Sequence, residues 1–176
     1  EDRVKELERR TKVPLQRWAK TAAHAGPALR LTEGGVVDYR AVRELVEEMA
    51  ERFNLLAVGY DRWNATETVQ QLADAGLEME QVSQGYAGLN QPCQQLERLV
   101  LSQRIAHGGH PILRWHVDCV GLKTNSDGYV KPVKPDRQTS SKRIDGVASG
   151  LNALAMHLAK AEPEEEPEPS IRVIGA

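Results

Sequence analysis

The run Leu55-Leu56-Ala57-Val58-Gly59-Tyr60 constrains the fold more than any other stretch of this chain. Six apolar or small residues in a row are too few for a free-standing helix and read as a buried strand of a layered α/β sheet. What flanks the run strengthens that reading. Before it, Val42, Leu45, Val46, Met49 and Phe53 recur at helical spacing behind Asp38, a residue type suited to an N-cap, so a helix over 39–53 is expected. After it, Asn64 and Glu67 have the spacing of a capping box, and Val69, Leu72 and Ala73 give the next helix an apolar face that Gly76 closes. Glu78 to Val82 is a second strand. Helix–strand–helix–strand over 39–82 is the pattern of a parallel crossover.

The rest of the chain reads around that unit. Residues 1–10 favour a helix, Pro14 interrupts it, and Leu15 to Ala25 form a second short helix broken by Gly26-Pro27. Asn90-Gln91-Pro92 starts another helix, with Leu96, Leu99 and Val100 toward the core and an end near Ala106. Trp115 to Lys123 is expected as a strand. Asp127-Gly128 turns it into a return strand over Tyr129 to Val133. The last helix is expected over 142–160, with Ile144, Val147, Ala148, Leu151, Leu154, Ala155 and Leu158 on its apolar face. Three parts follow: a helical and irregular segment 1–35, a body 36–160, and a Pro/Glu-rich tail 161–176 too poor in apolar residues to order.

Charge is informative only when resolved along the chain. The net value is −2. Yet Lys123, Lys131, Lys134, Arg137, Lys142 and Arg143 cluster against only Asp127 and Asp136, which suits either a polyanion partner or a solvated loop. Cys93 and Cys119 match no metal-ligand spacing. With no signal peptide and no membrane-length apolar run, the expectation is a cytosolic chain with reduced thiols and no membrane partner. The first residue is Glu, as at a processed or truncated end.

Two carboxylates occupy positions where chemistry is common. Asp61 follows the Leu55–Tyr60 run, and strand C-termini are where open α/β sheets bind ligands. Its alternatives are a surface turn or a cap for the next helix. Asp145 opens the last helix, where the helix dipole alone favours a carboxylate. The adjacent Lys142-Arg143 pair is unfavourable at a helix N-terminus and is easier to understand with phosphate nearby. A two-metal phosphodiesterase site needs at least three carboxylates around ions roughly 4 Å apart, and only two are evident. His107 and His110 have an H-x-x-H spacing without further zinc ligands, so hydrogen-bonding loop histidines are favoured. His116, Asp118 and Cys119 are expected as packing or surface groups. No phosphate-binding loop ending in Lys-Ser/Thr and no G-x-S-x-G is present.

Taken in order, several strings form a recognisable set. They are Gly59-Tyr60-Asp61-Arg62-Trp63-Asn64-Ala65-Thr66, Gln84-Gly85-Tyr86, Pro92 to Leu101, His107 to Trp115, and Lys142-Arg143-Ile144-Asp145-Gly146 with Ala148. Together they resemble the C-terminal nuclease domain of the large terminase subunit of tailed bacteriophages, from about Val36 to Leu158. Trp18 and Leu31-Thr32-Glu33-Gly34 also look like the segment preceding it. The chain departs from the family at His110 and Asp118, where Asn is usual.

The resemblance implies an α/β, RNase H-like mixed sheet flanked by helices, incomplete here, and a Mg²⁺- or Mn²⁺-dependent endonuclease that cuts concatemeric viral double-stranded DNA during packaging. Asp61 and Asp145 would be catalytic metal ligands, and Lys142, Arg143, Lys131 and Lys134 would contact DNA. A portal protein and a small terminase subunit are the implied partners, and the cytoplasm of a bacterial host the implied location. The family's first catalytic Asp is expected upstream of Glu1, as is the ATPase domain. The alternative expectation is a catalytically incomplete prophage remnant, or a DNA- or portal-docking module without nuclease activity.

Overall fold

The computed structural model of the chain describes residues 2–23, 26–62, 66–135 and 141–160. Asn64 of the expected capping box and the acidic tail 161–176 lie outside the described residues. Helices α1 (Asp2–Thr11) and α2 (Leu15–Lys20) come first, then the two-residue strands β1 (Ala22–Ala23) and β2 (Gly26–Pro27). The crossover unit follows: α3 (Tyr39–Arg52), β3 (Val58–Tyr60), α4 (Thr66–Asp74) and β4 (Met79–Gln81). Helices α5 (Tyr86–Leu101) and α6 (Pro111–Cys119), the hairpin β5 (Gly121–Thr124) and β6 (Val130–Val133), and α7 (Asp145–Lys160) complete the order.

The crossover read from 39–82 is present. Asp38 caps α3 by accepting the Arg40 and Ala41 N–H groups. β3 and β4 pair in parallel, with Val58 opposite Met79 and Tyr60 opposite Gln81. Gly76, at φ +89°, ends α4 as a left-handed residue should. The strand is shorter than its apolar run, because Leu55 and Leu56 precede the ladder and Leu56 is exposed. The hairpin is also as expected. Asn125 accepts the Asp127 and Tyr129 N–H groups, and Gly128 supplies φ +81°.

Five expectations are corrected. Residues 111–119 form a helix, so the strand expected from Trp115 to Lys123 is confined to Gly121–Thr124. Pro111 sits at the first position and His110 Nδ1 caps the Leu113 N–H, while Ile112, Trp115, His116 and Cys119 share one face at helical spacing. Val117, off that face, is exposed. Helix α5 begins at Tyr86 behind Gly85 rather than at Asn90, and ends at Leu101 rather than near Ala106. Pro92 is therefore internal to α5, and the buried face is Leu89, Pro92 and Cys93, with Val100 exposed. A Cβ on Gly88 would meet the Ser83 carbonyl oxygen at 2.3 Å, so the first turn of α5 lies on the preceding chain in a way only glycine allows. Helix α2 stops at Lys20, and α7 starts at Asp145, three residues later than expected. Finally, the described strands form three separate two-stranded sheets, two antiparallel and one parallel, rather than one mixed sheet.

The core gathers where α5, α7 and the strands converge: Val82, Leu89, Cys93, Val147, Leu151 and Met156, with Ala57, Leu96, Val120, Val130 and Ala155 against them. Leu151, 2 % exposed, is the most deeply buried of them. The N-terminal helices are tied to the body by the Trp18–Trp115 ring pair, with centroids 5.3 Å apart, and by the Ser141 hydroxyl donating to the Thr11 carbonyl at 2.9 Å. Cys93 and Cys119 are buried and unpaired in any disulfide, and burial pushes the Cys93 thiol up from its ordinary pKa.

Candidate functional site at the amino end of the last helix

The direction of α7 relative to β3 and β4 decides which residues meet. Lys160 Nζ lies 2.8 Å from Glu78 Oε1 and 3.2 Å from Glu80 Oε1, so the carboxyl end of α7 sits at the start of β4. Gln84, just beyond β4, donates to Asn152 Oδ1 at 3.0 Å. A Cβ on Gly59 would meet Met156 Cγ at 2.8 Å and the Asn152 carbonyl oxygen at 3.3 Å. Helix α7 thus runs against the strand direction. Seven residues, or about 10 Å, separate Asn152 from Asp145, which carries the amino end of α7 past the carboxyl ends of both strands. Asp61 leaves β3 at that same end.

The fold therefore places Asp61 and Asp145 on one side of the molecule. Asp61 is half-buried and Asp145 exposed. Lys142 and Arg143 share this end, both exposed, with Arg143 Nη1 donating to the Lys142 carbonyl at 2.9 Å. Lys131 and Lys134 belong to a different element. Lys131, on β6, stands opposite Lys123 in the hairpin register and holds its ammonium 4.8 Å from the Tyr86 ring centroid. Lys134 follows β6 and is half-buried. Like charges directly opposite across a ladder are unfavourable, and the Tyr86 ring offsets part of that cost.

His116, expected as a packing or surface group, is buried against the first turn of α7. It is 9 % exposed and accepts the Gly146 N–H through Nδ1 at 2.9 Å. Burial pushes its pKa below the ordinary histidine value. The Asp145 charge opposes that shift and His110 adds to it. The lone pair on Nδ1 requires the proton of the neutral ring to sit on Nε2. Gly146 completes the contact, since a Cβ there would lie 2.7 Å from His116 Nδ1. A glycine in the first turn of a helix, where better helix formers cost nothing, was the available sequence signal. The H-x-x-H pair behaves as loop histidines: His107 Nδ1 accepts the Gly109 N–H, and His110 caps α6.

Carboxylate oxygens suit hard divalent cations, so Asp61 and Asp145 fit such an ion in kind. They fall short in number, because no group of three or more His, Cys, Asp or Glu side chains able to hold a metal forms among the described residues. No helix among the described residues is long and apolar enough to cross a membrane.

Comparison with known proteins gives a consistent set of relatives. The family described as "Terminase large subunit, endonuclease domain" matches residues 6–162. Protein YmfN of Escherichia coli (strain K12) is 30 % identical over 152 residues, covering 85 % of this chain and 32 % of its own length. The terminase large subunit of Enterobacteria phage HK97 is 30 % identical over 166 residues, covering 91 % of this chain and 30 % of its own. The crystal structure of the HK97 bacteriophage large terminase shares the fold, with a TM-score of 0.74 at 24 % identity over 89 % of this chain and 31 % of that one. The chain thus spans about a third of the length of the curated relatives it matches.

Proposed function

The chain belongs to the terminase large subunit endonuclease domain family, and from that premise we propose that it is the metal-dependent nuclease portion of a phage or prophage DNA-packaging enzyme, with an RNase H-like arrangement of its α/β elements and residues 36–160 as its body. Its substrate is concatemeric viral double-stranded DNA, its setting the cytoplasm of a bacterial host. Its partners are a portal protein and a small terminase subunit. The observation that carries this reading is the antiparallel docking of α7 on β3, which brings Asp61 and Asp145 to one end of the fold beside Lys142 and Arg143.

Asp61 and Asp145 would contribute carboxylate oxygens to Mg²⁺ or Mn²⁺. Bound divalent ions supply Lewis acidity and an activated water to phosphodiester cleavage. Lys142 and Arg143 neutralise phosphate at the mouth of the site, and Lys131 and Lys134 extend the basic surface along the hairpin. Two carboxylates do not complete a two-ion site, so the described residues account for part of the ligand set only.

The same shortfall favours a second reading, a DNA- or portal-docking module without nuclease activity. Mn²⁺-dependent nicking of supercoiled plasmid separates the two. Cleavage lost in Asp145→Ala and Asp61→Ala supports the nuclease. Undiminished cleavage by Asp145→Ala, in preparations free of contaminating nuclease, overturns the role of Asp145. Salt-sensitive DNA binding with no cleavage by the unaltered chain supports the docking module.

A further inference from the structure

We propose that His116 is a positioning residue for Asp145, acting through the backbone of α7. This rests on the reading of Asp145 as a metal ligand. The first helical bond of α7 runs from the Ala148 N–H to the Ile144 carbonyl, which makes Ile144 the N-cap and Gly146 the second residue of the helix. An N-cap usually accepts the N–H of the second or third residue through a side-chain oxygen. Isoleucine has none, so its helix would start with an unanswered donor in a half-buried place. His116 answers it from another helix: Nδ1, brought in on α6, receives the Gly146 N–H at 2.9 Å.

The consequence falls on Asp145, which lies between two anchors. Ile144 is 8 % exposed and held in the interior, while Gly146 is bonded to the buried imidazole. With the residues on both sides fixed, the Asp145 backbone is fixed, and its exposed carboxylate leaves the helix end in a set direction. The close approach depends on Gly146, because an added Cβ would sit 2.7 Å from Nδ1 and 3.3 Å from Leu113 Cδ1. His116 touches neither metal nor phosphate in this scheme. It defines where the ligand stands, much as outer groups orient metal ligands elsewhere.

The experiment is a titration of the 176-residue chain with Mn²⁺ alone, following paramagnetic broadening of the Asp145 and Gly146 amide resonances well below the melting midpoint. His116→Phe keeps the ring and removes the acceptor. Gly146→Ala keeps the acceptor and blocks the approach. Both should weaken Mn²⁺ binding about tenfold, and His116→Asn, whose amide oxygen can stand near the position of Nδ1, should recover it to within about threefold. A purely structural histidine would lower the melting midpoint of His116→Phe and leave the Mn²⁺ affinity unchanged. Unchanged affinity in both His116→Phe and Gly146→Ala, with Asp145→Ala impaired, overturns the positioning role alone. If Asp145→Ala binds as the parent does, or the parent shows no broadening at Asp145, the ligand reading fails and this proposal falls with it. Should His116→Phe not fold, Gly146→Ala and His116→Asn decide.

Discussion

Gly59→Ala tests the contact on which the arrangement of the candidate site depends. Gly59 is the point where β3 lies against α7 with no side chain between them. An alanine methyl there would be 2.8 Å from Met156 Cγ, 3.0 Å from Val82 Cγ2 and 3.3 Å from the Asn152 carbonyl oxygen. Carbon atoms pack at about 3.5–4.0 Å, so the helix or the Met156 side chain must give by at least about 0.7 Å. Overpacking of this kind costs about 1–3 kcal/mol. The upper part of that range applies, because one of the three neighbours is helix backbone and cannot rotate away. The lost flexibility of the unfolded chain returns up to about 1 kcal/mol. The net expectation is a destabilisation of about 1–2 kcal/mol. In urea, with a slope of about 2 kcal/mol per molar, the unfolding midpoint falls by about 0.5–1 M. Met156→Ala alone costs about 2–5 kcal/mol by opening a cavity. In the double variant the new methyl occupies part of that space, so its loss should be smaller than the sum of the two single losses by at least about 0.5 kcal/mol. A midpoint unchanged or raised in Gly59→Ala, or strict additivity with Met156→Ala, would refute the close seating of α7 on β3.

Two further expectations concern single groups. Asp38→Ala removes the acceptor for two N–H groups of α3 and should cost about 1 kcal/mol in urea unfolding, while Asp38→Asn keeps most of the stability. His116 is held below its ordinary pKa, near 6.5, so the unfolded chain binds more protons than the folded one just beneath that value. Its contribution is therefore complete above about pH 6.5 and declines as the pH falls toward the lowered folded value. Thermal midpoints measured from pH 7 to 5.5 should drop more steeply for the parent chain than for His116→Phe.

Much of the local structure was legible because it rests on residues close in sequence. The Asp38 cap and the Asn125–Gly128 turn are set by side chains within a few positions of the backbone they bond, and the 39–82 crossover by the periodicity inside each of its elements. Residues 115–119 differ from the expected strand because their helix depends on contacts distant in sequence. The helical face of Trp115, His116 and Cys119 matters only once His110 caps the helix and the body covers His116 and Cys119. Pro92 misled similarly. Proline suits a helix start, and its internal place in α5 was visible only with Gly88 lying against Ser83.

For the candidate site the division is sharper. The sequence by itself determined that one carboxylate would follow a strand and another would open a helix, since both depend on local periodicity and punctuation. Only the tertiary structure decided that the two share an end of the fold. That follows from the docking of α7 against β3 through Gly59 and from the Lys160 contacts with Glu78 and Glu80, across more than 75 positions of chain. The His116–Gly146 bond, thirty residues apart, was equally beyond local reading. A hydrogen bond between separate helices depends on how their faces pack. That packing is fixed by where side chains are missing, at Gly59 and Gly146, as much as by those present.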